Sequence, residues 1–176
     1  MTTATLSPTA AEVFESLRGF LRQILGPIEV VRGLGARVAM PRGQFIAITG
    51  VLDSRLETNI DTDVDGYPNA PQVTRSLKPT RMDIQLDFYG PRSSSWAIEI
   101  GILFRDEYAC EGLAPICQPL YADDPRMMPL VTAEDQYLER WTVDAAIQVN
   151  QVTTTPQTFS TTIDATAINV DEAFPP

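Results

Sequence analysis

Trp141-Thr142-Val143-Asp144-Ala145-Ala146-Ile147-Gln148-Val149 sets apolar side chains at 141, 143, 145, 147 and 149, with Thr142, Asp144, Ala146 and Gln148 between them. A two-residue period puts alternate side chains on opposite faces of a β-strand, so one face is written for a core and the other for a polar surface. Met82-Asp83-Ile84-Gln85-Leu86-Asp87-Phe88 repeats the pattern, and Tyr89-Gly90-Pro91 ends it. After Thr154-Thr155-Pro156-Gln157 a further run carries Phe159, Ile163, Ala165, Ile168 and Val170, which reads as the return strand of a long C-terminal β-hairpin. Twelve residues at about 3.3 Å each reach roughly 40 Å, more than a small sheet requires, so one end is expected to project and meet another subunit.

Outward from these strands the chain supplies two helices. Ser7-Pro8-Thr9 offers caps and Thr9 with Glu12 makes a capping box; Val13, Leu17, Phe20, Leu21 and Ile24 then recur at helical spacing until Gly26-Pro27. Helix one is predicted over about 9–25. Ser93-Ser94-Ser95 opens a second helix, predicted over roughly 94–109, with Trp96, Ile100, Leu103 and Phe104 on one stripe and Ile98 and Ile102 on another flank. So wide an apolar surface implies burial against more than the sheet. Phe45-Ile46-Ala47-Ile48-Thr49-Gly50-Val51-Leu52 is apolar on both faces and reads as a doubly covered strand. The polar, Pro- and Asp-rich residues 53–80 are too long for an ordinary loop and read as an extended arm or irregular hairpin, and 112–129, with four prolines, as a long structured loop. The order gives one α+β domain over 1–176: a mainly antiparallel sheet with two helices on one face and a long C-terminal β-hairpin.

The composition excludes much chemistry. The 176 residues carry 13 basic and 23 acidic groups, a net charge of −10, which argues against a nucleic-acid-binding surface. The excess is uneven: residues 1–88 hold nine basic and ten acidic groups, while 89–176 hold four and thirteen. There is no histidine, and Cys110 and Cys117 are the two cysteines, which leaves no imidazole for a catalytic triad and too few soft ligands for structural zinc. No catalytic residue and no cofactor is expected. No run approaches 18 apolar residues and Met1-Thr2-Thr3-Ala4-Thr5 lacks a signal core, so neither a membrane span nor secretion is expected.

Asp61-Thr62-Asp63-Val64-Asp65-Gly66 has the opening of a calcium loop, but the twelfth position is Gln72 instead of a bidentate Glu, and Pro68 and Pro71 interrupt it. A solvated acidic turn is the simpler reading. Gly33-Leu34-Gly35 lacks the third glycine of a dinucleotide loop. Cys110 and Cys117 read as two small buried side chains in a cytosolic product, a disulfide being the alternative. Asp123-Asp124 and Glu134-Asp135 are carboxylate pairs in proline-rich surroundings, where solvated surface is the simpler reading than acid–base work. Met127-Met128-Pro129-Leu130-Val131 is a candidate subunit contact or core segment.

Val31-Arg32-Gly33, Met40-Pro41, Phe45-Ile46-Ala47-Ile48 and Arg55-Leu56-Glu57-Thr58-Asn59 follow one another in an order that resembles bacteriophage neck and tail-terminator proteins. The resemblance continues through Arg140-Trp141-Thr142-Val143-Asp144, Ile147-Gln148-Val149-Asn150, Thr155-Pro156-Gln157 with Phe159, and Val170-Asp171 before Pro175. It covers roughly 28–176 and carries no catalytic signature. It implies a structural, non-enzymatic virion protein, assembled in the host cytoplasm. Such a protein forms a ring, with six copies expected, on the last ring of the tail tube, ends tube growth and joins the tail to a head-side connector or collar protein. Genomic DNA would pass through without specific binding, and Asp123, Asp124, Glu134, Asp135, Glu139 and Asp144 are the acidic candidates to line that passage, because like charges repel a phosphate backbone. The alternatives are another phage ring component, either a tail-tube or a head-completion protein, and a calcium-binding or hydrolytic protein using Asp61–Asp65.

Overall fold

The computed structural model describes residues 4–33, 41–66, 72–128, 130–131 and 137–157. In chain order the elements are β1 (Thr5–Ser7), α1 (Ala10–Leu25), β2 (Glu29–Arg32), β3 (Phe45–Arg55), β4 (Ile60–Val64), β5 (Val73–Tyr89), α2 (Ser93–Leu103), α3 (Glu107–Leu113), β6 (Gln118–Ala122), β7 (Arg126–Met127), β8 (Leu130–Val131), β9 (Tyr137–Leu138) and β10 (Arg140–Pro156).

The two alternating stretches are the middle of the sheet. β5 and β10, each 17 residues long, pair antiparallel along their whole length, from Tyr89↔Arg140 to Val73↔Pro156. The second edge of β10 takes β7, β6 and β1 in tandem, and the second edge of β5 takes β3 and then β4. β2 lies parallel to β3, so the sheet is mixed: an antiparallel body with one parallel edge strand. Pro79 stands mid-strand, where its missing N–H would ordinarily break a ladder. Here it sits opposite the junction between β3 and β4, and its carbonyl accepts from the Leu56 N–H at 3.0 Å. Backbone N–H and C=O of one strand residue point to the same side, so the lost donor faces that gap. The second strand of the expected hairpin lies outside the described residues.

One face of the sheet carries the core. Ile46 and Ile48 of β3, Met82, Ile84, Leu86 and Phe88 of β5, and Val143, Ala145, Ile147 and Val149 of β10 pack with Val13, Leu17, Phe20 and Leu21 of α1 and Trp96, Ala97 and Ile100 of α2. The capping box of α1 forms as its sequence prescribes: the Thr9 hydroxyl accepts from the Glu12 N–H, and Glu12 Oε2 accepts from the Thr9 N–H at 2.6 Å, which holds the Glu12 carboxyl below its ordinary pKa. The predicted helix over 94–109 is two helices. It breaks at Asp106, whose Oδ1 accepts from the Tyr108 N–H at 3.2 Å and caps α3, because Asp satisfies a helix start better than a helix interior. The turn aims Ala109 and Leu113 into the core; a Cβ on Gly112 would lie 2.7 Å from the Phe20 ring, so only glycine allows α1 and α3 to approach this closely. Among the described residues three helices, not the expected two, therefore cover this face. The expected loop over 112–129 likewise contains the end of α3 and two short strands, β6 and β7.

β3 is doubly covered only in its first half. Ile46 and Ile48 face the helices, while Phe45 and Ala47 join Tyr89 in a second, smaller core on the opposite face, Phe45 and Tyr89 stacking at 4.3 Å. At Val51 a bulge inserts one extra residue, and Val51 and Leu52 come out to solvent. Cys117 is buried but Cys110 is exposed, which corrects the reading of both as buried; both are free thiols. Replacing Trp96, 3% exposed beneath α2, by Ala removes a large side chain from the main core and is expected to cost about 3–5 kcal/mol. Chemical denaturation measures it; an unchanged midpoint would mean that α2 does not pack as described.

Candidate assembly surfaces

The deep core stops before the sheet does. On β10 the last fully buried residue is Val149, and on β5 nothing from Val73 to Lys78 is fully buried. Asn150–Pro156 thus continues for seven residues beyond the last fully buried residue of β10, roughly 23 Å at about 3.3 Å per residue. The stretch 53–80 that the sequence marks as an arm supplies the flank of this projection, namely the end of β3, then β4, then the start of β5. Arg55 donates to Asn59 Oδ1 at 2.7 Å and ties the β3–β4 link. Among the described residues nothing pairs with the outer edge of β4 or with that of β3 beyond Ile48. Along this open border Val51, Leu52, Leu56 and Ile60 are 62%, 58%, 44% and 52% exposed. A groove of about 350 Å³ between α1 and β3, lined by Val13, Phe14, Leu17 and Ile48, adjoins it.

Away from the small Phe45, Ala47 and Tyr89 core, the described residues of the helix-free face are largely polar and paired with one another. At its base Asp87, 5% exposed, accepts from Thr142 Oγ1 at 2.7 Å and from the Arg140 guanidinium at 2.9 Å, and Gln85 Nε2 reaches it at 3.0 Å. Further along, Arg81 pairs with Asp83 at 2.7 Å and with the Tyr121 hydroxyl, and Arg126 pairs with Asp144. Arg81, Asp83, Gln85, Tyr121, Asp123 and Asp144 share one shallow groove of about 320 Å³.

The acidic candidates fall into different settings. Asp123 and Asp124 are exposed on the turn between β6 and β7. Asp144 is half-buried and neutralised locally by Arg126, and Glu139 accepts from the Trp141 indole N–H at 3.1 Å. Glu134 and Asp135 lie outside the described residues. The calcium-like hexapeptide is mostly strand: Ile60–Val64 pairs with β5, Asp63 Oδ1 accepts from Thr74 at 2.6 Å, and Asp65 Oδ1 accepts from Gln72 at 3.0 Å. The carboxylates of an edge strand are spread along it, whereas a calcium loop wraps its ligands around one point. Burial pushes the Cys117 thiol up to about 11, so it stays protonated at neutral pH. No helix among the described residues is long and apolar enough to cross a membrane.

The buried Asp87 cluster and the open apolar border are the features that sequence reading missed. Their signals were faint, because Asp87 looks like one more polar alternation and Val51-Leu52 like a continuation of a buried strand. A search of curated proteins gave no match. The family model for phage neck terminator protein matches residues 11–173, which takes in the core, the projecting sheet and most of the C-terminal segment. This chain, with its uncovered sheet border and no catalytic constellation in its sequence, belongs to the phage neck terminator protein family.

Proposed function

We propose that the protein closes into a ring of six copies at the head-proximal end of the phage tail, ends growth of the tail tube and joins the tail to the head-side connector. The observation that carries this reading is the sheet that outruns its own core and ends in an open border of exposed Val51, Leu52, Leu56 and Ile60. Exposed strand edges with apolar side chains template pairing with another chain, and a head-to-tail contact that repeats with the right rotation closes into a ring. Residence in the virion neck and assembly in the host cytoplasm follow from the same role. Leu52→Asp and Ile60→Asp place charge on this border without touching the core. Light scattering is expected to show that each variant assembles far less than the parent, with its melting temperature nearly unchanged. Variants that assemble like the parent would remove this border from the ring contact.

The passage of genomic DNA rests on the acidic second half of the chain, four basic against thirteen acidic groups over 89–176. Because Asp144 is paired with Arg126, the repelling wall is assigned chiefly to Glu134, Asp135 and Glu139, with Asp123 at the edge of the helix-free groove and Asp124 turned toward α2. Like charge keeps a phosphate backbone from sticking. The triple change Glu134→Lys, Asp135→Lys and Glu139→Lys should leave ring assembly intact and slow DNA ejection from particles, more so at low salt where the screening length is longer. Ejection at the parental rate at every salt concentration would count against an acidic lumen.

A further inference from the structure

The outward face of α2 has no role in the fold or in the sheet border. From Trp96 to Leu103 the helix carries a single charged residue, Glu99. Trp96, Ala97 and Ile100 are buried, yet Ile98 and Ile102 on the other side are 48% and 67% exposed. A helix that is apolar around its circumference is normally covered around its circumference. Between Ile98 and Ile102 and the turn after β6 runs a groove of about 360 Å³, lined also by Gly101, Arg105, Asp123, Asp124 and Pro125. The Arg105 guanidinium is turned to the Ala122 carbonyl, with Nε at 2.9 Å, and so ties this turn to the end of α2.

Gly101 is the telling residue. Glycine inside a helix lowers stability relative to alanine. A Cβ at position 101 would meet Pro125 at 3.8 Å and the Asp123 carbonyl at 4.0 Å, which is ordinary contact, so the fold itself does not require glycine there. What glycine does is keep the floor of the groove open between two exposed isoleucines.

We propose that this groove is the docking site for a segment of a different virion protein, one that presents apolar side chains flanked by Lys or Arg. The choice of occupant follows from charge. Asp123 and Asp124 rim the apolar floor and are exposed, Glu99 is exposed on the same helix, and Arg105, the cation of the lining, is already engaged with the Ala122 carbonyl. A second copy that offered its exposed Val51–Ile60 border to this groove is a poor counterpart, because that border and β4 carry exposed Asp53, Glu57, Asp61 and Asp63 against the single Arg55 and would set carboxylates against this rim. The partner's identity as a head-side or tail-tube component rests on the neck role proposed above.

The test uses heads and tails purified from phage unable to make this protein, mixed with the purified chain and scored by electron microscopy for joined particles. The parent chain should restore joining. The double variant Ile98→Glu with Ile102→Glu should lower joining at least tenfold, while its melting temperature and its self-assembly stay at parental values. Asp123→Lys with Asp124→Lys should lower joining too, with the largest loss at low salt. Gly101→Ala should raise the melting temperature by about 2–4 °C and still reduce joining, a combination that a purely structural role does not give. Full joining by the isoleucine double variant would overturn the proposal, and loss of self-assembly in that variant would overturn the choice of partner in favour of a second copy. If the parent chain itself fails to restore joining, the neck role falls and takes the assigned partner with it, an outcome distinct from failure of the variants alone.

Discussion

The antiparallel pairing of β5 with β10 over 17 residues each is the interaction on which the remaining structure depends. It joins two strands 51 or more residues apart in sequence, and each of them lends its second edge to several shorter elements. The alternation of the two strands stays in phase, so Ile84 stands beside Ala145, Leu86 beside Val143 and Phe88 beside Trp141 on the helix side. A slip of one residue would turn all of these to solvent and bring Asp83, Gln85, Asp87 and Asp144 into the core. Register is thus fixed by the hydrophobic pattern on one face and by the Asp87–Thr142–Arg140 cluster on the other. Breaking that cluster at one partner would leave a charge buried without its counter-ion, which is costly for a group as enclosed as Asp87.

The same pairing explains why, among the described residues, one part of the ladder holds the deep core and the other holds only partly buried and exposed side chains. The helices are short compared with the strands, so the core ends near Val149 while the ladder runs on. In that second part, hydrogen bonds between strands hold the sheet, and none of its described residues joins either apolar core cluster. A sheet of this kind is under-stabilised alone and gains most from a neighbour that covers its edge. The family membership and the bare border therefore point the same way, one from the pattern of sequence and one from the physics of an unfinished sheet.

Much of the fold was legible because it rests on local periodicity. Met82–Phe88 and Trp141–Val149 announce their faces, and Thr9 with Glu12 announces the start of α1. The first half of β5 was legible only as part of an arm or irregular hairpin, since Ser76, Lys78 and Thr80 with Pro79 between them lack apolar alternation; it is a full-length strand because β10 and β4 supply partners on both sides. The break of the second helix turned on Asp106, a capping residue set within a helical apolar spacing. Of the acidic candidates, Asp144 could not be weighed from sequence, because Arg126 reaches it only through the pairing of β7 with β10. Asp61–Asp65 looked like a loop motif because local spacing carries no information about the strand that lies beside it.

Single-particle electron microscopy of the purified protein, alone and on the ends of purified tail tubes, shows directly whether the chain closes on itself. Closed rings with a central hole and six subunits are expected, with the Val51–Ile60 border of each subunit at its contact with the next. Monomers at every concentration, and bare tube ends in the mixture, would contradict closure into a ring.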